Sequence, residues 1–489
     1  MTDQIQADIC VIGAGSGGLT VAAVAAAFGE KVVLLEKGAM GGDCLNFGCV
    51  PSKALIASAK QAQAMRQANQ FGVCSVEPRI DYQAVHDHVH SVMAAIAPND
   101  SVARFEGLGV TVIQKAGRFK DPKTVVTADG ETEIKARAFV IATGSSPRLP
   151  EIEGLSDVKY LTNETFFSLT SRPDKLVILG GGPIGMELAQ AQRRLGAEVS
   201  VLEAYHVLGR DDPEMSSLVV DQLRREGVDI KEGVKVLKIE RPDDPDLHPH
   251  GAKIHVSLSA SEETSNDVVE VIEASHLLVA TGRKPNMEGL GLEDGKIRFD
   301  AHGIRVNQSL RTSNRRVYAI GDVLGGPQFT HVASYHASLV VRSILFRFGG
   351  KMKEGIIPQV TFTDPEMAQV GYSEEAAQQK FKAIRILRWP YGENDRAQAE
   401  RKTTGFIKVI LNKKGIVIGA SVVGANAGEI INMWSLIISQ KMPIKAVTGF
   451  LSPYPTYSEI GRRAAISNYM DLPAKPSVRK VISYLKKFR

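Results

Sequence analysis

The sequence predicts an α/β protein: two Rossmann-like, doubly wound units followed by a C-terminal α+β region. Three observations carry this expectation. A G-x-G-x-x-G turn joins an apolar strand to an alanine-rich helix near the start, and the same arrangement returns from residue 175. From residue 351 the pattern changes to apolar strands such as GFIKVILNKKGIVIGASVVG. A chain of 489 residues also exceeds what one hydrophobic core usually supports, so several domains are expected.

The first unit reads ADICVIGAGSGGLTVAAVAAAFGEKVVLLEK. Residues 7–12 form the strand, and Gly13, Gly15 and Gly18 complete the turn. Gly13 permits the tight bend, Gly15 lets backbone N–H groups approach a pyrophosphate, and Gly18 lets helix and strand pack closely. The next strand, KVVLLE, ends in Glu36, whose carboxylate is placed to accept from a ribose diol. The second unit, KLVILGGGPIGMELAQAQRRLGAEVSVLE, repeats this with Gly180, Gly182, Gly185 and Glu203. Each unit has a later strand that ends in a glycine turn, FVIATGSSP at 139–147 and LLVATGRKP at 277–285. The segment VYAIGDV at 317–323 follows, with Asp322 in reach of a ribityl or ribose hydroxyl. An internal duplication of this kind predicts two bound dinucleotides.

Composition narrows the function classes. Hydrophobic content of 44% and 23% charged residues suit a globular protein. The net charge of +5 is slight for this length, and no nucleic-acid-binding signature accompanies it. The start MTDQIQAD lacks the features of a secretory leader, and no apolar run reaches bilayer-spanning length. Four cysteines make no disulfide framework, so a cytoplasmic location is expected.

Two of those cysteines stand close together in GGDCLNFGCVPSK, as Cys44 and Cys49. In a regular helix positions i and i+5 lie about 140° apart, too far for a relaxed bridge, but Gly48 gives the backbone room to distort. The following helix is expected to begin at Pro51, with its positive end beside Cys49 favouring a thiolate. A zinc site needs two further ligands, and neither Cys10 nor Cys74 supplies a second pair.

Taken together, the order of these motifs from residue 7 to about 465 resembles the pyridine nucleotide–disulfide oxidoreductases, in the branch of dihydrolipoamide dehydrogenase and mercuric reductase. The resemblance implies an FAD-binding domain at 1–150, resumed at 286–350, a NAD(P)-binding domain at 151–285, and a dimerisation domain at 351–489. It implies a homodimer and a redox-active Cys44–Cys49 disulfide, with Cys49 facing the flavin and Cys44 meeting the substrate. Lys53 matches the lysine beside the flavin's reacting ring, and Glu187 matches its ion-pair partner. Gly117, Thr143, Gly144, Ser145, Asp322 and the run Gln328, Phe329, Thr330 and His331 match FAD contacts; Val236 and Gly282 match NAD contacts.

A carboxylate at Glu203, where NADP enzymes carry basic residues, predicts NAD(H). The family's disulfide-handling members carry H-P-T-x-S-E near the C-terminus. Here the stretch is LSPYPTYSEIGRR, so Tyr454 stands at the histidine position and Glu459 keeps the glutamate. A phenol is a poor general base at neutral pH, and losing such a base costs on the order of 10²–10⁴ in rate. Tyrosine here is similar to mercuric reductase, yet no cysteine follows Cys74 to hand over a metal. The expected activity is electron flow from NADH through FAD to the dithiol and on to an unidentified small acceptor: a disulfide, quinone, soft metal ion or reactive sulfur species. Dihydrolipoamide oxidation despite Tyr454, or a low-turnover scaffold or NADH sensor, are the alternatives.

Two further features stand apart. His86, His88 and His90 in VHDHVH read as a polar helix surface, and His248 and His250 as a proline-rich loop. The tail KPSVRKVISYLKKFR spaces Val478, Val481, Ile482 and Leu485 on one helical face, with six basic residues and no acid in 475–489. It reads either as a membrane-surface helix or as a helix docked on its own domain.

Overall fold

The computed structural model describes residues 3–241, 250–258 and 270–488. Two compact units emerge: residues 1–206 with 228–352, and residues 207–227 with 353–489. The expected architecture is present, a mixed α/β chain with two doubly wound sheets and an α+β C-terminal region.

In the first unit a seven-stranded sheet is built on Asp3–Ile12, which pairs in parallel with Val32–Leu35 and with Thr132–Ile141. Val317–Ala319 adds in parallel beside Phe139–Ile141, which brings the late VYAIGD segment to the same edge as the first glycine turn. Apolar and polar residues do not alternate along the central strands. Ile9, Val11, Phe139, Val140 and Ile141 are all fully buried, because helices cover both faces of the sheet. Each such side chain contributes about 1.5–3 kcal/mol by leaving water. Helix Ser16–Ala27 packs against helix Thr330–Phe346, and a Cβ at Gly17 would press on Ala333.

The same unit holds a four-stranded parallel sheet in the order Asp229–Glu232, Glu198–Glu203, Lys175–Leu179, His276–Val279. A three-stranded antiparallel sheet, Val234–Glu240, Ala252–Leu258 and Glu270–Ala274, packs beside it. His248 lies outside the described residues, whereas His250 forms a bridge with His276 rather than a free loop.

The second unit is a five-stranded antiparallel sheet of Gln359–Thr361, Glu366–Gly371, Val417–Gly424, Phe406–Asn412 and Ile384–Pro390. Helix Ala427–Ser439 covers it, with Trp434 fully buried. Residues 207–227, which the sequence reading places with the second nucleotide unit, belong here instead. An electrostatic tie holds them there: Lys408, only 1% exposed, donates to Asp212 (2.7 Å), Glu214 (2.9 Å) and Glu374 (3.1 Å). Helix Pro476–Leu485 buries none of its residues, so the expectation of a docked tail is not met among the described residues.

Candidate active site

The two glycine turns are structural copies. Gly13 and Gly180 adopt φ of +106° and +108°, and a side chain on either would strike the carbonyl of Ala142 or Ala280 on the neighbouring strand. A Cβ on Gly18 or Gly185 would collide with the carbonyl of Gly13 or Gly180. By contrast, Gly15 and Gly182, which cap the helices, face open space. The terminal acids repeat as well. Glu36 accepts from the Ala14 N–H (2.6 Å) and the Gly38 N–H (2.7 Å), and Glu203 from those of Gly181 (2.7 Å) and Tyr205 (3.0 Å). Each carboxylate is thus oriented by its own glycine turn, with lone pairs left for a ribose hydroxyl.

The cysteine segment sits directly on the first turn. The Gly41 N–H donates to Ala14 O (3.0 Å), and a Cβ on Gly42 would touch the Cα of Gly15. Cys44 lies in the short helix Gly42–Asn46, and Cys49 is the first residue of helix Cys49–Gln67. The helix therefore begins two residues before Pro51. Gly48 links the two at φ −124°, ψ −112°, where a side chain would press on the carboxylate of Asp43.

Both cysteines are free thiols. The Cys44 thiol donates to the Cys49 sulfur, and this bond, opposed by burial and helped by Thr330 and Lys53, lowers Cys49 to about 6. The same bond, with burial, pushes Cys44 far above the ordinary thiol range. Thr330 Oγ1 lies 3.4 Å from the Cys49 sulfur. Within the pair these effects favour the thiolate at Cys49 and the proton at Cys44. Lys53 meets Glu187 at 2.7 Å, the glutamate side chain being 7% exposed, so Glu187 is no solvated helix residue.

Several residues of the site escaped sequence reasoning. Arg283 pairs with Asp43 (2.9 Å), the neighbour of Cys44, and also donates to Ser145 Oγ (2.7 Å) and Ser145 O (2.9 Å). Ser145 Oγ in turn donates to Asp322 (2.7 Å), whose carboxyl is pushed upward by burial. Asn163 donates to Asp43 (3.1 Å), and Asn286 clasps the 143–146 turn through Thr143 O (3.0 Å) and Ser146 (2.8 Å). His336 accepts from the Gly321 N–H (3.2 Å); burial lowers it to about 4, so it is a neutral prop for the turn before Asp322. The position of Arg283 immediately after Gly282 was a visible signal; a histidine on the apolar face of a helix was not.

Gly117 is buried where a side chain would strike Leu35, one residue before Glu36. Gly144 is left-handed at φ +69° with open space before it, and Gly282 at +122° likewise. Val236 lies in the antiparallel sheet at a register shift and packs on that sheet's core. Gln328 precedes helix Thr330–Phe346, and Phe329 stacks on His331 at 5.3 Å. Tyr454, 67% exposed, donates its hydroxyl to Asp395 (2.8 Å), which raises its pKa further, while Glu459 pairs with Arg463 (3.2 Å). The His86 and His90 rings lie against each other at a tilt, 4.1 Å between centroids, and His90 meets Phe167 O at 3.1 Å.

Residues 7–337 match the family described as pyridine nucleotide-disulphide oxidoreductase, and residues 357–465 match its dimerisation domain. The chain belongs to this family. A mercuric reductase of Staphylococcus aureus is 33% identical over 464 residues, spanning 94% of this chain and 82% of that protein. A dihydrolipoyl dehydrogenase of Geobacillus stearothermophilus is 32% identical over 467 residues, 94% of this chain and 96% of the other. Among solved structures, LpdA from Mycobacterium tuberculosis superposes with a TM-score of 0.84 at 26% identity, covering 96% of this chain and all of its own. The Cu(II) complex of the HOCl-induced flavoprotein disulfide reductase RclA from Escherichia coli gives 0.82 at 25%, covering 95% and 99%.

As a pyridine nucleotide-disulphide oxidoreductase the chain is a flavoprotein that uses FAD and a pyridine nucleotide. Its residues fit those groups. Gly15 and Gly182 leave free the space that a side chain would fill at a helix N-terminus, which is where a pyrophosphate is held. Among the described residues no helix is long and apolar enough to cross a membrane.

Proposed function

We propose that this protein is an NADH-driven reductase whose Cys44–Cys49 dithiol passes electrons to a soft, thiol-seeking acceptor, with a soft divalent metal ion as the favoured class. We assign FAD to the first doubly wound sheet and NADH to the second. Bound FAD supplies the relay between a nicotinamide hydride and the two-electron chemistry of the cysteines. The chain's own residues set the stage: Glu187 holds the Lys53 ammonium, Cys49 carries the thiolate, and Cys44 keeps the proton until an acceptor arrives.

The observation that carries the proposal is Tyr454. Its hydroxyl is committed as a donor to Asp395, so it accepts no proton at neutral pH. Thiol–disulfide exchange then lacks its usual base. A soft dication needs none, because its own charge displaces the thiol proton as the sulfurs bind. With Hg²⁺ the dithiolate gives up two electrons, the Cys44–Cys49 disulfide forms and Hg⁰ leaves. NADH then restores the dithiol, and the net change is NADH + Hg²⁺ → NAD⁺ + Hg⁰ + H⁺. The mercuric reductase relatives and the copper complex of RclA favour this class. The dimerisation domain favours a homodimer.

An anaerobic panel under NADH tests the reading: Hg²⁺, Cu²⁺, lipoamide, glutathione disulfide and a quinone. The expected result is NADH oxidation with Hg²⁺ and slow lipoamide turnover that rises about tenfold or more in Tyr454→His. Fast lipoamide turnover by the native protein would sink the argument from the phenol. An unreduced flavin throughout would favour the scaffold or sensor. Glu203, held by two backbone N–H groups, supports NADH over NADPH through repulsion of a 2′-phosphate; steady-state kinetics with both decides. The tail supports weak contact with anionic lipid, since Val481, Ile482, Leu485 and Phe488 are 49–70% exposed in a stretch, 475–489, that carries six basic residues and no acid. Vesicle flotation with and without residues 475–489 tests it, and equal partitioning removes the idea.

A further inference from the structure

Away from the cysteines, the first unit carries a cleft of about 510 Å³ lined by Arg137, Arg311, Arg315, Arg316 and Arg347, with no carboxylate in its wall. Five guanidinium groups around one space repel one another, and such an arrangement is retained only at a cost unless an anion enters. Of the five, only Arg137 has an acidic partner among the described residues, Glu30. Arg311 is oriented from behind: its guanidinium donates to the hydroxyl of Tyr318 (2.5 Å from Nη2, 3.2 Å from Nε) and lies over that ring at 5.1 Å. Tyr318 is 3% exposed and its hydroxyl is shared with the buried Ser343 (3.2 Å). A neutral phenol thus fixes the direction of Arg311 and leaves its charge uncancelled. Arg347 stands at the C-terminal end of helix Thr330–Phe346 in the left-handed region, φ +58°, a conformation that residues other than glycine seldom adopt.

We propose that this cleft is a binding site for a compact polyphosphate anion. Four uncompensated guanidinium forks match phosphate oxygens bidentately, which a cluster of lysines would not do. The volume falls in the range of small-molecule sites and accommodates a triphosphate chain. The walls also offer Asn307 and Ser309 as neutral hydrogen-bonding groups. This site is distinct from both glycine turns, and none of its residues contacts the cysteine pair.

Calorimetric titration of the FAD-loaded protein with inorganic tripolyphosphate and, separately, with ATP tests the proposal at physiological ionic strength. The expected result is saturable binding that weakens about tenfold or more in Arg315→Gln/Arg347→Gln, and measurably in Arg315→Gln alone. Neither side chain has an acidic partner among the described residues, so flavin content, melting temperature and KM for NADH should not change. Equal affinity for both ligands means that the phosphate chain is the recognised group; tighter binding of ATP means that the nucleoside adds contacts. Absence of binding to the native protein at millimolar ligand, or unchanged affinity in the double variant, overturns the site. The second result would place the anion at the nucleotide turns instead, which competition with NADH would reveal.

Discussion

Replacing Cys44 by alanine isolates the strongest influence on Cys49. The Cys44 thiol donates to the Cys49 sulfur, and this is the largest of the effects that lower Cys49 to about 6. At that value about nine-tenths of Cys49 is thiolate at pH 7. A hydrogen bond to a charged group is worth about 1.5–3 kcal/mol, and each 1.36 kcal/mol is tenfold in the ionisation equilibrium. Loss of the donor should therefore move Cys49 to about 7–8, with only about a tenth to a half ionised at pH 7. Thr330 and Lys53 remain and still favour the thiolate, while burial and Asp43 remain and oppose it. The assay is a pH titration of ultraviolet thiolate absorbance in the FAD-loaded, dithiol protein, with Cys49→Ala as the counterpart. In Cys49→Ala the remaining Cys44 should show no ionisation below neutral pH. An unchanged titration in Cys44→Ala, or a low-pKa thiolate surviving in Cys49→Ala, would refute the assignment of charge within the pair.

Three other perturbations have definite outcomes. Glu187→Gln removes the carboxylate that holds Lys53 at 2.7 Å; flavin reduction by NADH in stopped flow should slow about tenfold or more, and an unchanged rate would leave the ion pair without a role. Lys408→Met breaks the buried pair with Asp212, while Arg388 stays on Glu214 and Glu374; leaving the Asp212 carboxylate buried without its ammonium should destabilise the C-terminal unit by about 3–5 kcal/mol and lower its melting temperature by several degrees. Because Lys408 and Arg388 hold Glu214 below the usual carboxylate range, the native cluster stabilises above that range and weakens as pH falls through the lowered value, a dependence that the variant should flatten. Gly18→Ala drives a methyl group into the Gly13 carbonyl, so the purified protein should carry little flavin; a full flavin-to-protein absorbance ratio would contradict the close approach.

Much of the fold was legible because its requirements are local. A tight left-handed turn at Gly13, an open helix cap at Gly15 and a carboxylate 23 residues past Gly13 are constraints that one short segment must satisfy alone, and the second segment satisfies them again. Buried parallel strands announce themselves as apolar runs for the same reason. Lys53 and Glu187 were reachable only through the family pattern, since 134 residues separate them and no local rule joins them.

What the sequence by itself determined was therefore the duplicated dinucleotide architecture, the dithiol and the substitution at Tyr454. Only the tertiary structure decided how those parts are charged and held. It placed GGDC on the first glycine turn, favoured the thiolate at Cys49 over Cys44, and set Thr330 against Cys49. It joined Arg283 to Asp43 and, through Ser145, to Asp322, and it turned the Tyr454 hydroxyl toward Asp395. It also gathered five arginines from three stretches of chain around one cleft. The physical reason is common to all of these: ionisation and hydrogen bonding depend on distances of a few ångströms between groups far apart in sequence, and chain folding alone sets those distances.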